Sequence, residues 1–204
     1  MIKAKLIIRT KSKMYPIIFG SNILSKIKSI LKSNKIFFEK SLIIVDENVP
    51  KKKVNLIKKN LSCKIKITHS FISTEKNKNQ KNVDKILNLL LKNNFNRNDC
   101  VISIGGGIVG DVSAYAASIF KRGIKFINIP TTLLAQVDSS IGGKTGINNR
   151  FGKNLVGTFF QPDLVITDTS LLKTLPKREL ICGYGEIFKH SLILDRNFYK
   201  YLDS

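Results

Sequence analysis

What this chain has little of already narrows its function. It carries three cysteines, Cys63, Cys100 and Cys182, an odd number with no Cys-x-x-Cys pair. That excludes a closed disulfide framework and a zinc knuckle, and suits a reducing, cytoplasmic setting. No apolar run approaches the length of about 18 residues that a membrane helix needs. The start, Met1-Ile2-Lys3-Ala4-Lys5, lacks the apolar core and cleavage site of a secretory signal. No membrane partner is therefore expected. No Pro-rich or Gly/Ser-rich linker interrupts the chain and no segment repeats; the Lys/Asn-rich patch from Glu75 to Asn82 is its only biased stretch.

Acidic residues are scarce. Fourteen stand against 35 basic ones, a net charge of +21. Residues 1–100 hold 23 basic and six acidic groups, the remainder 12 and eight. Twenty-nine of the basic residues are Lys and six are Arg. Arg supplies the bidentate fork that clamps phosphates and reads bases, whereas scattered Lys behaves as a solvated face. The longest basic run, Lys51-Lys52-Lys53, has no interleaved aromatics on which bases could stack. The surplus is read as surface, and no nucleic-acid partner is expected. Hydrophobic residues at 43% are ordinary for a folded protein and exclude a charge-driven disordered tail. At 204 residues the chain can bury roughly 70% of its unfolded surface, enough for one substantial core and the start of a second.

Short β-branched runs alternate with amphipathic stretches. Leu6–Ile8 and Ile17–Phe19 read as early strands, and Ser21 as the N-cap of a helix carrying Ile23, Leu24, Ile27, Ile30 and Leu31. Leu42–Val45 is a buried strand, Val49–Asn60 a helix, Ile65–Ile72 a strand, and Val83 to Leu91 recur at helical spacing. Val101–Ile104 and Phe126–Ile129 are further strands, as is Leu164–Ile166. After Pro176 a helix is predicted, followed by an amphipathic piece with Phe198, Tyr199 and Leu202. Alternation of this kind predicts an α/β fold with a Rossmann-like parallel sheet and right-handed crossovers. Residues 131–162 are rich in Gly, Thr, Ser, Asn and Lys without periodicity, which marks a functional stretch.

Gly105-Gly106-Gly107-Ile108-Val109-Gly110-Asp111 directly follows a strand and opens a helix. Glycines there let backbone N–H groups approach a phosphate, and the helix N-terminus adds partial positive charge, an arrangement suited to a dinucleotide pyrophosphate. A plain packing turn remains the alternative, and Asp111 also reads as a dipole-favoured first-turn carboxylate. Asp46 follows a strand, where a carboxylate either accepts from ribose hydroxyls or caps the next helix. Glu75 and Lys78 are ambiguous alone. Cys182, Glu186 and His190 share a helical stripe, but eight residues rise about 12 Å, too far for all three to hold one ion. Glu186 with His190 alone is sterically possible.

The stretch Pro130-Thr131-Thr132-Leu133-Leu134-Ala135-Gln136-Val137-Asp138-Ser139-Ser140-Ile141-Gly142-Gly143-Lys144-Thr145 closely resembles the signature of the 3-dehydroquinate synthase family, within the sugar-phosphate cyclases. Gly105–Asp111, Lys121-Arg122-Gly123, Gly152-Lys153-Asn154, Gln161-Pro162, Leu172–Pro176 and Arg178-Glu179-Leu180 keep the family's order and spacing. The resemblance is dense over residues 101–195 and looser before, where Asp46-Glu47-Asn48-Val49 and Glu75-x-x-Lys78 fit. It implies an NAD-binding α/β domain over residues 1–176 and, over 177–204, the beginning of a helical metal and substrate domain. The implied reaction turns a phosphorylated sugar acid, 3-deoxy-D-arabino-heptulosonate 7-phosphate, into 3-dehydroquinate. An alcohol is oxidised, phosphate is eliminated, the ketone is reduced and the ring closes by an aldol step, with NAD regenerated within the turnover.

By resemblance, Asp46, Glu75, Lys78, Gly106, Gly107, Gly110, Asp111, Thr131, Thr132, Lys153, Leu171, Leu172, Lys173 and Thr174 bind NAD. Asp138, Lys144, Asn154 and Lys189 contact substrate, Arg122 reaches a neighbouring subunit's phosphate in a homodimer, and Glu186 is a ligand of a divalent metal, zinc or cobalt. The family completes that metal site with two histidines further downstream, whereas this sequence contains only His69 and His190. His190 is not at a family ligand position and is expected to pack or to touch a ligand from outside. The chain is accordingly expected to be a fragment or a shortened product. Gly185 stands where the family has Ala. Two other readings stay open: a related sugar-phosphate cyclase or polyol dehydrogenase, and an inactive NAD-binding or basic nucleic-acid-binding module.

Overall fold

The structure is a computed structural model that describes residues 1–203. Nine strands are formed: β1 (Ile2–Arg9), β2 (Met14–Gly20), β3 (Lys40–Asp46), β4 (Ile65–Phe71), β5 (Cys100–Gly105), β6 (Lys125–Pro130), β7 (Ile147–Asn149), β8 (Gly152–Val156) and β9 (Leu164–Asp168). The α-helices are α1 (Ile27–Ser33), α2 (Lys51–Asn60), α3 (Gln80–Lys92), α4 (Gly107–Ile119), α5 (Lys177–Leu194) and α6 (Arg196–Asp203). Seven strands make one sheet in the order β1-β2-β9-β6-β5-β3-β4, parallel throughout except for β1.

The apolar runs of β3, β5, β6 and β9 are continuous because both faces of the sheet are covered there. Alternate residues of each strand point to opposite faces. Ile43, Ile102, Ile104, Ile127 and Ile166 pack with Ile27, Ile30 and Leu31 of α1 and Val54 and Ile57 of α2. Leu42, Ile44, Val101 and Phe126 pack on the other side with Val83, Ile86 and Leu90 of α3 and Val109, Val112 and Ala116 of α4. The result is the expected α/β fold with a mostly parallel, Rossmann-like sheet, here in three layers. From β3 the chain crosses outward through α2 to β4, then returns through α3 to β5 on the far side of β3. Successive connections thus leave β3 and β5 in opposite directions, which opens a crevice at their carboxyl ends.

The structure corrects two local expectations. Ser21 does not cap the first helix. The buried carboxylate of Asp168, at the end of β9, accepts instead from the backbone N–H groups of Asn22 (2.8 Å), Ile23 (2.7 Å) and Leu24 (3.1 Å). The stretch 131–162, read as irregular, contains a π-helical turn (Ala135–Ser139) and the antiparallel β7–β8 hairpin. Among the described residues no helix is long and apolar enough to cross a membrane.

Candidate active site

The glycine turn sits in the crevice between β3 and β5. A Cβ on Gly105 would come within 2.8 Å of Val109 and 3.1 Å of the Asp46 Cβ, so strand and helix meet too closely for a side chain. A Cβ on Gly106 would lie 3.1 Å from the Thr132 Cγ2, and one on Gly107 2.8 Å from the Ser139 Oγ. Gly106 is the N-cap of α4 and has no side chain to satisfy the first N–H groups of that helix. The turn therefore offers bare, oriented N–H donors beneath Thr132 and Ser139, the cradle an anionic diphosphate fits. The Ser139 hydroxyl is buried there without a hydrogen-bond partner.

Lys78 ties this turn to the rest of the site. Its buried ammonium lies 2.5 Å from the Asp111 carboxylate, which falls in the second turn of α4 and not, as expected, in the first, and 2.5 Å from the Asn154 Oδ1 on β8. The Lys78 carbonyl accepts from the Asn148 N–H (2.7 Å), whose side-chain amide donates to Glu75 Oε1 (2.7 Å), while the Asn154 N–H donates to the Asn148 Oδ1 (2.9 Å). Loop, helix start and hairpin are thereby locked together, with Asn154 held at a left-handed φ of +58°. Burial raises the Asp111 pKa, and the Lys78 contact pulls it back only in part. Sequence reasoning placed Lys78 beside the nucleotide; it did not anticipate Asn148 as the staple, because a lone Asn in a polar stretch carries no distinguishing signal. The Lys153 ammonium, 3.9 Å from Glu75 and exposed, makes only a loose surface pair.

A cavity of about 540 Å³ opens beside these groups, lined by Asp111, Asp138, Ser139, Lys144, Asn154 and Thr158 among others. Three of the four expected substrate contacts, Asp138, Lys144 and Asn154, thus share one wall-to-wall space. The fourth, Lys189, lies on α5, where its ammonium contacts Glu186 Oε1. His190 Nε2 approaches the same oxygen at 3.3 Å. One ligand atom from each of Asp138, Glu186 and His190 fall within 4.8 Å of one another. Gly183 allows this meeting: a Cβ there would sit 2.6 Å from Leu133, so α5 rests directly on the turn that presents Asp138.

The remaining expected residues are more dispersed. Asp46 does not cap α2, whose N-cap is Pro50; its carboxylate accepts from Asn48 N and Nδ2 (3.0 Å each) and from Ser73 Oγ (2.6 Å), closing the turn at the crevice edge. Thr131 N donates to the Gly105 carbonyl (2.9 Å), and Thr132 Oγ1 accepts from Ala135 N (3.2 Å). Leu171–Thr174 lie on the 3₁₀ turn after β9, Leu171 in the core and Lys173 and Thr174 exposed. Arg122 is exposed beyond the far end of α4, about 20 Å along that helix from the glycine turn.

Residues 68–182 match the family described as 3-dehydroquinate synthase N-terminal. The 3-dehydroquinate synthase of Pelagibacter ubique is 58% identical over 199 residues, covering 98% of this chain and 54% of that protein. Among solved structures, 2-deoxy-scyllo-inosose synthase complexed with carbaglucose-6-phosphate, NAD+ and Co2+ superposes with a TM-score of 0.87 at 29% identity, over 94% of this chain and 53% of that one. A 2-epi-5-epi-valiolone synthase from Streptomyces hygroscopicus with NAD+ and Zn2+ bound gives 0.80 at 26%, over 94% and 53%. The chain spans about half the length of the curated relatives it matches. The glycine cradle, the signature over 130–145 and these likenesses agree: the chain belongs to the 3-dehydroquinate synthase family and carries its N-terminal region.

Proposed function

We propose that this chain forms the NAD-binding half of a cytoplasmic 3-dehydroquinate synthase, a carbon–oxygen lyase that converts 3-deoxy-D-arabino-heptulosonate 7-phosphate to 3-dehydroquinate and phosphate. The observation that carries the reading is the side-chain-free turn at Gly106-Gly107 opening onto a cavity lined by Asp111, Asp138, Lys144 and Asn154. Residues 1–176 are read as the nucleotide domain and 177–204 as the beginning of a helical one.

The residues fit both expected groups. A cradle that a Cβ would fill, with an orphaned Ser139 hydroxyl above it, suits a diphosphate. Carboxylate and imidazole donors on α5 and the adjoining turn suit a divalent ion such as zinc or cobalt. NAD supplies a reversible hydride acceptor, and the ion supplies a Lewis acid for the substrate's hydroxyls.

This chain's own groups do the holding. Gly106, Gly107 and Gly110 bring the backbone against the pyrophosphate. Thr131, Thr132, Asp46, Glu75, Lys153 and Leu171, Leu172, Lys173 and Thr174 border the nucleotide. Lys78 fixes Asp111 and Asn154, so the N-terminal half of α4 and the hairpin keep one spacing. Lys144 and Lys189, both exposed, offer positive charge to an anionic substrate. Asp138 and Asn154 orient hydroxyls. Glu186 holds the ion, and Arg122 serves the phosphate site of a second copy in a homodimer. Another sugar-phosphate cyclase remains the second reading, favoured by the TM-score of 0.87 to an inosose synthase.

Titration of NAD into the chain is expected to show one site, and Gly106→Val, which drives a side chain into Thr132, to weaken it at least tenfold. Unchanged affinity in that variant would overturn the nucleotide assignment. Joined to the C-terminal half of the Pelagibacter relative, the chain is expected to release phosphate from the heptulosonate faster than from glucose 6-phosphate. The opposite preference would support the inosose-type reading.

A further inference from the structure

We propose that Tyr15 and Gln161 are positioning residues for the substrate: one holds the N–H and the other the carbonyl of Gly142, and together they fix the loop that aims Lys144 into the cavity. The proposal rests on the reading of Lys144 as a substrate contact and deepens it, by naming the side chains that keep that cation in place.

Gly142 and Gly143 stand in succession with φ of +91° and +68°. No other pair of residues has more backbone freedom to lose. Gly142 and Lys144 are exposed, and Lys144 lines the cavity of about 540 Å³. Left to itself, such a loop would let the ammonium sweep a wide volume. It is instead tied down on both sides of Lys144. The Phe160 N–H donates to the Gly143 carbonyl (2.7 Å) and the Thr145 N–H to the Thr158 carbonyl (3.0 Å), bonds that involve backbone alone. One residue upstream the anchors are side chains. The Gly142 N–H donates to the Tyr15 hydroxyl (3.3 Å), and Gln161 Nε2 donates to the Gly142 carbonyl (3.0 Å).

Both anchors stand on rigid ground. Tyr15 lies on β2, 1% exposed and packed with Ile17 and Val165, and reaches a loop 127 positions away in sequence. Because β2 pairs with β9, the loop is moored to the main sheet. Gln161 is buried, and its backbone carbonyl accepts from Lys13 Nζ (3.4 Å), an ammonium that also pairs with Asp163 (2.8 Å). A Cβ on Gly143 would lie 2.5 Å from the carbon and nitrogen of the Gln161 carboxamide. The missing side chain is what lets that amide pass over Gly143 to Gly142. Gln161 Oε1, by contrast, is buried without a partner. A side chain kept for stability alone would not leave a buried acceptor unpaired, whereas one kept for its Nε2 contact can. Gly142 is exposed, so water can take over its N–H and carbonyl when either anchor is removed. Loss of an anchor therefore costs the loop its direction more than it costs the fold.

The test is calorimetric titration of the 204-residue chain, first with NAD and then with 3-deoxy-D-arabino-heptulosonate 7-phosphate at saturating NAD, alongside urea unfolding. Tyr15→Phe removes the hydroxyl and Gln161→Met the amide. Each is expected to weaken the heptulosonate about fivefold, the order of one hydrogen bond, and the two together by more than about tenfold. The affinity for NAD and the urea midpoint of Tyr15→Phe are expected to stay at the parent values. If Lys144→Met weakens the heptulosonate while Tyr15→Phe and Gln161→Met leave it unchanged, the positioning role fails and the reading of Lys144 stands. Equal losses of NAD and heptulosonate affinity in the two variants would also overturn the proposal, since a general loosening moves both. If Lys144→Met has no effect, or the parent chain does not bind the heptulosonate, the reading of Lys144 fails and the positioning role with it.

Discussion

Gly183 and Gly185 lie two positions apart on α5 and have opposite reasons to be there. A Cβ on Gly183 would collide at 2.6 Å with Leu133 side-chain atoms and the Leu134 backbone nitrogen, whereas one on Gly185 would meet nothing within 4 Å. Gly185→Ala is therefore expected to stabilise the chain by about 1 kcal/mol, the ordinary helix-propensity gain. Gly183→Ala is expected to destabilise it by about 2 kcal/mol, because the obstructing atoms include backbone and cannot swing away. Urea unfolding of both variants decides it, and effects of the same sign would be incompatible with the packing described. The sequence singled out Gly185, as a departure from the family's Ala, but not Gly183. Glycine that permits a long-range approach looks the same in sequence as glycine that does nothing. Lys78 shows the same limit: ambiguous on its own, it was assigned to the nucleotide only through the family resemblance, and its burial between Asp111 and Asn154 was not legible at all.

Asp168 shows how one element's end holds another's beginning. Its carboxylate accepts from three N–H groups at the entry to α1 and from Ser170 N at 2.9 Å, joining β9 to the first helix across the sheet. Burial alone would raise its pKa, but these hydrogen bonds outweigh burial and hold it below the usual carboxylate range. An acid whose folded pKa is depressed binds fewer protons folded than unfolded, so its stabilisation is present at neutral pH and drains away as pH falls through the carboxylate range and below it. Asp111 runs the other way. Its raised pKa makes stability fall as pH rises from the usual carboxylate value to the folded one. Asp168→Ala is expected to cost about 3 kcal/mol at neutral pH, from several orphaned donors in a dry site. The stability difference from the parent is expected to shrink on acidification, as read by urea midpoints between about pH 3 and 7. A difference independent of pH would show that the carboxylate's charge is not what holds the turn. Nothing in the sequence pointed to this contact, because Ser21 is a good local capping residue and the partner that replaces it lies about 145 residues away.

At the scale of the molecule, the α/β architecture was legible because its central strands β3, β5, β6 and β9 are continuous buried runs and its helices are striped. Both signals are local and repeat along the chain. The β7–β8 hairpin escaped because Ile147-Asn148-Asn149 and its partner are short and polar, and pair for reasons of site geometry rather than burial. The nearness of Asp138 to Glu186 and His190 escaped because they come together only when α5 settles on the π-helical turn. That docking leaves α5 with an unusual exposed stripe, Ile181, Tyr184, Phe188 and Leu192 on its outer side, with Ile193 and Leu194 exposed at its C-terminal end; among the described residues of this helix only Gly183 and Ser191 are buried. α6 brings Tyr199 against Phe188, ring centroids 6.0 Å apart. Apolar side chains clustered on one helix form a patch of the kind that associates. The 204-residue chain is accordingly expected to self-associate and to bind hydrophobic dyes, more strongly as salt screens its net charge of +21. Replacing Leu192 and Ile193 by Lys and Glu is expected to lower both, by sedimentation and dye fluorescence. If the parent chain sediments as a dye-silent monomer at high salt, the outer face of α5 is not the sticky surface that its exposure implies, and its apolar residues need another physical account.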